Sequence, residues 1–579
     1  MQDNSQDQNR RTLQAIILCI IVAIVWSQMQ APKKKPIPEA PKQQAQQVDS
    51  KPGESAVQVQ PATPAQVAPA APAAVASHPK RAELEAAPTS FIQTGVAQFG
   101  ISHLGGRAVS VKLNEYKREH GSDQALDLVD TPEGAVFPLG AYAGLESDEH
   151  VMYTLASVNG APSSQASGNF LAPEGSSVTI ELKGTLPSGN QITKRIAGSS
   201  GSYVMSVEVS LSRKLPEGQF VWLEWTHLFP QDKEDPRAGA SQITYLDQAD
   251  KIHHIALTDI IEGVRGFGPS KWASLGDKYF MSTVVPLMKG ANTLIGREGN
   301  VFLAREPGGQ EAGTFELYVG PKDYKTLQYV GDYHLERTID LGWFSFLSLP
   351  LLWLLHYLYI YLQNYGLAII ALTLIVKTVM LPLSKASFAS MKRMQEIQPE
   401  IKALRERIKD ATQLNQEIMA LYQRKGINPM GGCFPVAIQI PVFLGLYNAL
   451  LNSIELRHAG FALWITDLSA PEKLEIFGIG VPVMVLLMSA SMILQQWTTP
   501  NTSADPQQQK MMMLMPIIFA VMFIVYPMPA GLVLYWLVNN IISITQQVYM
   551  RNAEKGSVYT ATFVTSLLIL GVGYILTLV

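Results

Sequence analysis

The apolar residues of this chain fall into blocks: one near the N-terminus, several after about residue 345, and none in the long stretch between. Runs near twenty apolar residues cross a bilayer as helices, because hydrocarbon offers the backbone no hydrogen-bond partner. The pattern therefore divides the chain into a water-soluble middle and a helical membrane remainder. With 579 residues, several domains are expected. A charged fraction of 16% and a mean hydropathy of +0.10 agree with a membrane protein. The net charge of -3 gives no reason to expect a specific nucleic acid partner. Cys19 and Cys433 are the two cysteines, both in apolar runs, which excludes a disulfide framework and CxxC metal ligation.

Residues 1–30 are read as an N-terminal transmembrane anchor, with the apolar run Leu13–Trp26 behind Arg10-Arg11. A signal peptide is the alternative, but the flank SQMQAP lacks a small-residue cleavage site. Residues 31–89, rich in Pro, Ala and Gln, form a disordered tether. From 90 to 335 short runs alternate apolar and polar residues: SVTIEL (177–182), YVMSVEVSLS (203–212), FVWLEW (220–225) and TFELYV (314–319). Period-two alternation broken by Gly, Pro and Asn predicts strands in a β-sandwich-like domain. The pair His253-His254 points to opposite faces of a strand and does not read as a shared metal site. No nucleophile–base constellation and no cofactor motif stands out, so this region reads as a binding or spacing domain, not an enzyme.

Residues 342–362, dense in Trp and Tyr and interrupted by Pro350, read as an interfacial amphipathic helix, though long enough to span. Spans follow at about 365–383, 432–452, 478–497, 512–527 and 531–550. Between the first two lies a basic segment read as a cytoplasmic helical hairpin, 385–425, with Lys385, Lys392, Arg393, Lys402, Arg405 and Arg407 among its bases. By the positive-inside rule the β domain then faces the periplasm of a double-membrane bacterium, and the N-terminus is cytoplasmic. Residues 558–579 have the length of one more span, a peripheral apolar helix being the other reading.

Lys377, inside the 365–383 span, is the sharpest chemical feature. A lysine at mid-helix costs about 2.5–3.5 kcal/mol on insertion scales, so it normally faces a watery cavity or a partner; snorkelling to the headgroups is the bland alternative. Thr373 lies one turn earlier on the same face, and Gln439 sits in the next span between Pro435 and Pro441. Tyr535, Asn539, Ser543 and Gln546 recur at helical spacing as a polar stripe along the last core span. No acid within the spans is placed to neutralise Lys377, so the expected feature is a polar, net-positive hollow. A carrier for a small anionic solute is the rival function.

The stretches IVKTVMLPLSKASFASMKRMQEIQPEI, NPMGGCFPVAIQIPVFLGLYNAL (428–450), FALWITDLS (461–469), DPQQQKMMMLMPIIF (505–519) and GLVLYWLVNN (531–540) resemble the YidC/Oxa/Alb family of membrane insertases over about 342–552. Anchor, tether and β domain resemble its Gram-negative form, which carries a large periplasmic domain. The resemblance implies an insertase core (363–552) of five helices around a hydrophilic groove, joined to a periplasmic β-super-sandwich. It implies a groove containing Lys377, Thr373 and Gln439, with Tyr535-Trp536 as an aromatic pair near the substrate, and the polar stripe adds Asn539 and Ser543 to the expected lining. Relatives often carry arginine where Lys377 stands; lysine keeps the charge but loses the planar fork. The implied partners are nascent membrane proteins, the Sec translocon, the lipid bilayer and, through the hairpin, the ribosome. No cofactor and no GxxxxGK[ST] motif are called for. Removing much of 90–320 is expected to be mild, since the groove lies elsewhere.

Overall fold

The computed structural model describes residues 78–129, 131, 135–229, 241–288, 292–427, 434–499, 506–552 and 558–578. The expected anchor, the tether up to residue 77, and both cysteines lie outside these residues. The tether's last residues are ordered. A short helix, Arg81–Ala86, buries Leu84 in the β-domain core, and Ser102 Oγ donates to the Leu84 carbonyl at 2.7 Å.

Each run expected to be a strand overlaps one, with Tyr203, Ser212 and Phe220 falling just outside. Ser177–Thr185, Gln191–Ser199 and Val204–Leu211 pair antiparallel in sequence order, turning Ile180, Leu182, Ile196, Val207 and Val209 into the core. Alternate positions facing opposite ways put one face of this meander on the core and the other towards water. Phe280–Pro286 and Val301–Pro307 are buried on nearly every residue, as central strands are. Gly263–Gly276 joins two sheets: its first half pairs with Asn292–Glu298 and its second with Phe280–Pro286. The register shifts between Gly266 and Pro269, where the strand turns from one sheet into the other. A separate five-stranded sheet begins with Thr89–Gln93 and Ala97–Ser102. The outcome is a β-super-sandwich. His253 and His254 have different partners, Asp247 at 2.8 Å and Thr244 at 3.4 Å.

One inward position of the meander is charged. Lys194 is fully buried, its ammonium 2.6 Å from Asp148 and donating to the Leu139 and Gly105 carbonyls at 2.8 and 3.0 Å. Arg107 lies alongside, 3.6 Å from both Asp148 and Glu224. Gly140 leaves room for that guanidinium, which a Cβ there would strike. Buried charges are most often paired and hydrogen-bonded in this way.

The helical part comprises α1 (Ser345–Leu362), α2 (Tyr365–Val379), α3 (Leu381–Glu396), α4 (Gln398–Arg407), α5 (Ala411–Arg424), α6 (Phe434–Asn452), α7 (Val483–Thr498), α8 (Pro506–Val525), α9 (Ala530–Asn552) and α10 (Val558–Thr577). The boundaries differ from the sequence reading where proline and strand chemistry intervene. The first core span stops at Val379, and α3 leaves it at a 59° bend. Pro382 stands at the start of α3, where its missing N–H costs nothing. Pro399 likewise opens α4, so the hairpin segment holds three helices. Asp410 caps α5, accepting from Gln413 N at 2.8 Å. α7 begins only at Val483, because Leu474–Ile476 and Ile479–Val481 form a small hairpin before it.

α2 is the central helix, packed by α1, α9 and α10, while α7 bridges α8 and α9. Leu367, Ile369, Leu372, Leu446, Met488, Leu534, Val538 and Ile542 form the shared apolar core. α4 and α5 close on a core of their own, Ile401 against Leu421, with Lys425 bonded to Glu400 at 2.7 Å.

The loop after α6 is fastened to the β domain. Ile454 belongs to the β-domain core. Arg457 Nη2 donates to the Lys117 and Arg118 carbonyls at 2.9 and 3.1 Å, and its guanidinium lies 5.5 Å from the Phe280 ring centre. Asn448 and Asn452 donate to the carbonyls of Leu341 and Asp340, both at 3.0 Å. The β domain is therefore held against one end of the helical core.

Candidate functional site

α2 is positioned by its ends. Asn364 caps its start by accepting from Leu367 N at 3.0 Å. Its last turn carries Lys377, a favourable place for a cation at the negative end of the helix dipole. The Lys377 side chain turns towards α9, and Nζ donates to Ser543 Oγ at 2.8 Å. Ser543 in turn donates to the Asn539 carbonyl at 2.7 Å, one turn earlier. Asn539 Oδ1 accepts from Gln439 Nε2 of α6 at 3.2 Å. Four of the expected residues thus make one polar line across α2, α9 and α6. Among the described residues, no carboxylate is paired with Lys377.

The line is not evenly accessible. Lys377 and Ser543 are buried, while Asn539 and Gln439 are half-buried. Thr373 is fully buried and spends its hydroxyl on its own helix, donating to Ile369 O at 2.7 Å. Such back-bonding satisfies the hydroxyl locally, so Thr373 lies one turn from Lys377 without joining the line.

Tyr535 and Trp536 occupy the turn before Asn539. Tyr535 is buried, with its ring 6.2 Å from that of Phe443 on α6. Trp536 lies among Phe443, Phe519 and Phe523, at 5.1, 5.8 and 5.5 Å between ring centres. Phe519 and Phe523 come from α8, so one indole bridges α6 and α8. The aromatic layer lies towards the β-domain end of α9, whose Gly531 N donates to Leu468 O at 2.9 Å. The polar line lies beyond it, towards the other end. The combination is a plug of rings beneath the β domain, followed by polar groups carrying one positive charge.

Sequence reasoning missed the cross-helix partners. Asn540 donates to Ser491 on α7 at 2.9 Å. Gln547 Oε1 accepts from the hydroxyls of Thr498 and Thr499 at 2.7 and 3.2 Å. Gln546, recognised as part of the stripe, donates to Thr562 of α10 at 3.4 Å. The doublet Asn539-Asn540 was the available signal, because adjacent amides on a helix must face two different neighbours. Phe443, Phe519 and Phe523 read individually as ordinary span residues.

Beyond the core, Lys385, Lys392, Arg393, Lys402, Arg405 and Arg407 are exposed on α3 and α4. This basic surface continues from the end of α2 that carries Lys377.

Comparison with known proteins gives two adjoining family matches: residues 90–354 match the YidC periplasmic domain, and residues 357–557 the 60Kd inner membrane protein family. A membrane protein insertase YidC of Syntrophus aciditrophicus is 36% identical over 482 residues, covering 79% of this chain and 84% of the relative. That of Pelobacter propionicus is 33% identical over 581 residues, covering 94% and 99%. A crystal structure of an active YidC insertase with its first transmembrane domain resolved covers 80% of this chain and 94% of its own, at 17% identity and a TM-score of 0.35. By identity and by coverage, this chain belongs to the YidC family of membrane protein insertases.

Proposed function

We propose that this chain inserts membrane proteins into the inner membrane through the polar line of Lys377, Ser543, Asn539 and Gln439. The observation that carries the reading is a buried ammonium held by a hydroxyl rather than by a carboxylate. A cation kept at the cost of desolvation, and left with a neutral partner, can exchange that partner for an acidic group on a passing segment. The amides beside it shorten the apolar barrier that a hydrophilic tail must cross. The substrate's apolar residues then leave sideways into lipid, driven by about 25 cal/mol per Å² of buried surface. The rings around Trp536 hold the far side shut while this happens.

In this reading the β domain is periplasmic, the core spans the inner membrane several times, and the basic α3–α5 segment receives the substrate from the cytoplasm. Nascent membrane proteins are the substrates. Work beside the Sec translocon, and contact of the basic segment with a ribosome, extend the proposal. The relatives give no support to a solute carrier.

The test is reconstitution of the purified chain alone in liposomes, with a single-span protein bearing a short acidic tail as substrate. Protease protection of that tail inside the vesicles is the expected result. Flux of a small anion without tail protection would favour the carrier instead.

A further inference from the structure

We infer that α10 is a sixth core span that seals the α2–α9 flank of the site, so that the polar line opens sideways only past α6. The first part concerns α10 alone; the second rests on the insertase reading.

α10 is twenty residues of apolar helix, long enough for a hydrocarbon core of about 30 Å. It packs along both α2 and α9, the two helices that hold the Lys377–Ser543 bond. Two contacts fix its direction. Near its start, Thr562 is buried and accepts from Gln546, close to the end of α9. Near its finish, Gly573 is buried against the beginning of α2. A Cβ at Gly573 would come within 3.1 Å of Ile370 and 3.2 Å of Leu367, an approach that glycine permits. Since α2 and α9 both start at the β-domain end, α10 runs antiparallel to them and finishes beneath the β domain.

The consequence for the polar line is a difference in access between its two flanks. On the α10 side, Lys377, Ser543, Gln546 and Thr562 are all buried, and Thr562 supplies the partner that keeps the Gln546 amide out of lipid. On the α6 side, Gln439 and Asn539 are half-buried and the neighbouring Ile440 is exposed. The outer face of α10 carries Phe563, Leu567, Leu568, Val572 and Ile575, all exposed, as a surface meant for acyl chains is. A substrate leaving the line therefore passes α6 and does not need to displace α10.

The experiment uses the full chain with Cys19 and Cys433 replaced by serine. Leu367→Cys with Gly573→Cys places two thiols across the α2–α10 contact, where a Cβ at Gly573 would meet the end of the Leu367 side chain at 3.2 Å. We expect the disulfide to form on oxidation, and the locked protein to insert the acidic-tail substrate without loss relative to its reduced form. Failure of the disulfide to form, or loss of insertion that reduction restores, overturns the inference while leaving the insertase reading intact. Absence of insertion by the reduced and the parent proteins alike overturns both. A second variant, Leu578→Cys, reads the topology independently of packing. A membrane-impermeant maleimide is expected to label it from the side that carries the β domain, and labelling only from the opposite side overturns the inference.

Discussion

Replacing Lys377 by alanine separates a functional cation from a structural one. Burying an ammonium at the centre of a span costs about 2.5–3.5 kcal/mol on insertion scales, an upper limit for Lys377 in the last turn of α2, and alanine removes that cost. Little is broken in exchange. Ser543 keeps its bond to the Asn539 carbonyl, so no hydroxyl is orphaned. Lys377→Ala should therefore be as stable as the parent or more so. Its function should fall. An acidic group 4 Å from the ammonium gains about 4 kcal/mol at an effective dielectric of 20, an upper limit before Ser543 is displaced. If half of that survives, insertion of a substrate with one acid in its tail drops by roughly 30-fold, since about 1.4 kcal/mol is tenfold. Lys377→Arg should keep most of the activity, and a substrate with a neutral tail should change little. The assay is protease protection of the tail in proteoliposomes, run beside a thermal melt of each variant. Equal insertion of the acidic tail by the alanine variant would refute the reasoning, as would an activity loss matched by destabilisation.

Asn539→Leu removes the acceptor of the Gln439 bond; hydrogen bonds between membrane helices average about 0.6 kcal/mol, so the melt should scarcely move while insertion falls severalfold. Glu306 is fully buried against the hydroxyls of Ser270 and Thr293, and burial pushes its carboxyl up to about 8. The folded state then holds a proton that the unfolded state has released, so β-domain stability should fall as pH rises from about 4.5 to about 8, and Glu306→Gln should flatten that fall in a pH series of melts. Arg457→Ala removes two charge-assisted bonds to the Lys117 and Arg118 carbonyls; such bonds are worth about 1.5–3 kcal/mol each, so proteolysis of the loop after α6 should accelerate at temperatures the parent withstands.

The Arg457 contact also alters one expectation drawn from the sequence. Removal of 90–320 looked mild because the polar residues lie in the spans. Ile454, however, is part of the β-domain core, and Arg457 is anchored on β-domain carbonyls. Deletion would leave an apolar side chain and a cation without their cover, so lower yield of the core is expected. Nothing in the loop's sequence discloses this, since an isoleucine and an arginine in a connection commonly face water. The strands were legible because one face of each is buried and the other wet, which writes a period of two into residues such as Val178, Ile180 and Leu182. The stripe on α9 was legible for the matching reason at helical period. Pairing between helices was not: whether Gln439 meets Asn539 or lipid depends on the rotation of α6, and Thr373 shows that a polar residue on the expected face can satisfy itself. The aromatic plug was hidden because Phe443, Phe519 and Phe523 acquire meaning only when α6 and α8 are brought to the same indole.

The most direct measurement is site-specific photocrosslinking to a stalled nascent membrane protein. A photoreactive side chain in place of Gln439 or Asn539 should capture the nascent chain, and one in place of Leu568, on the outer face of α10, should not. Capture from Leu568 with none from Gln439 or Asn539 would place the substrate outside the polar line and contradict an insertion route through it.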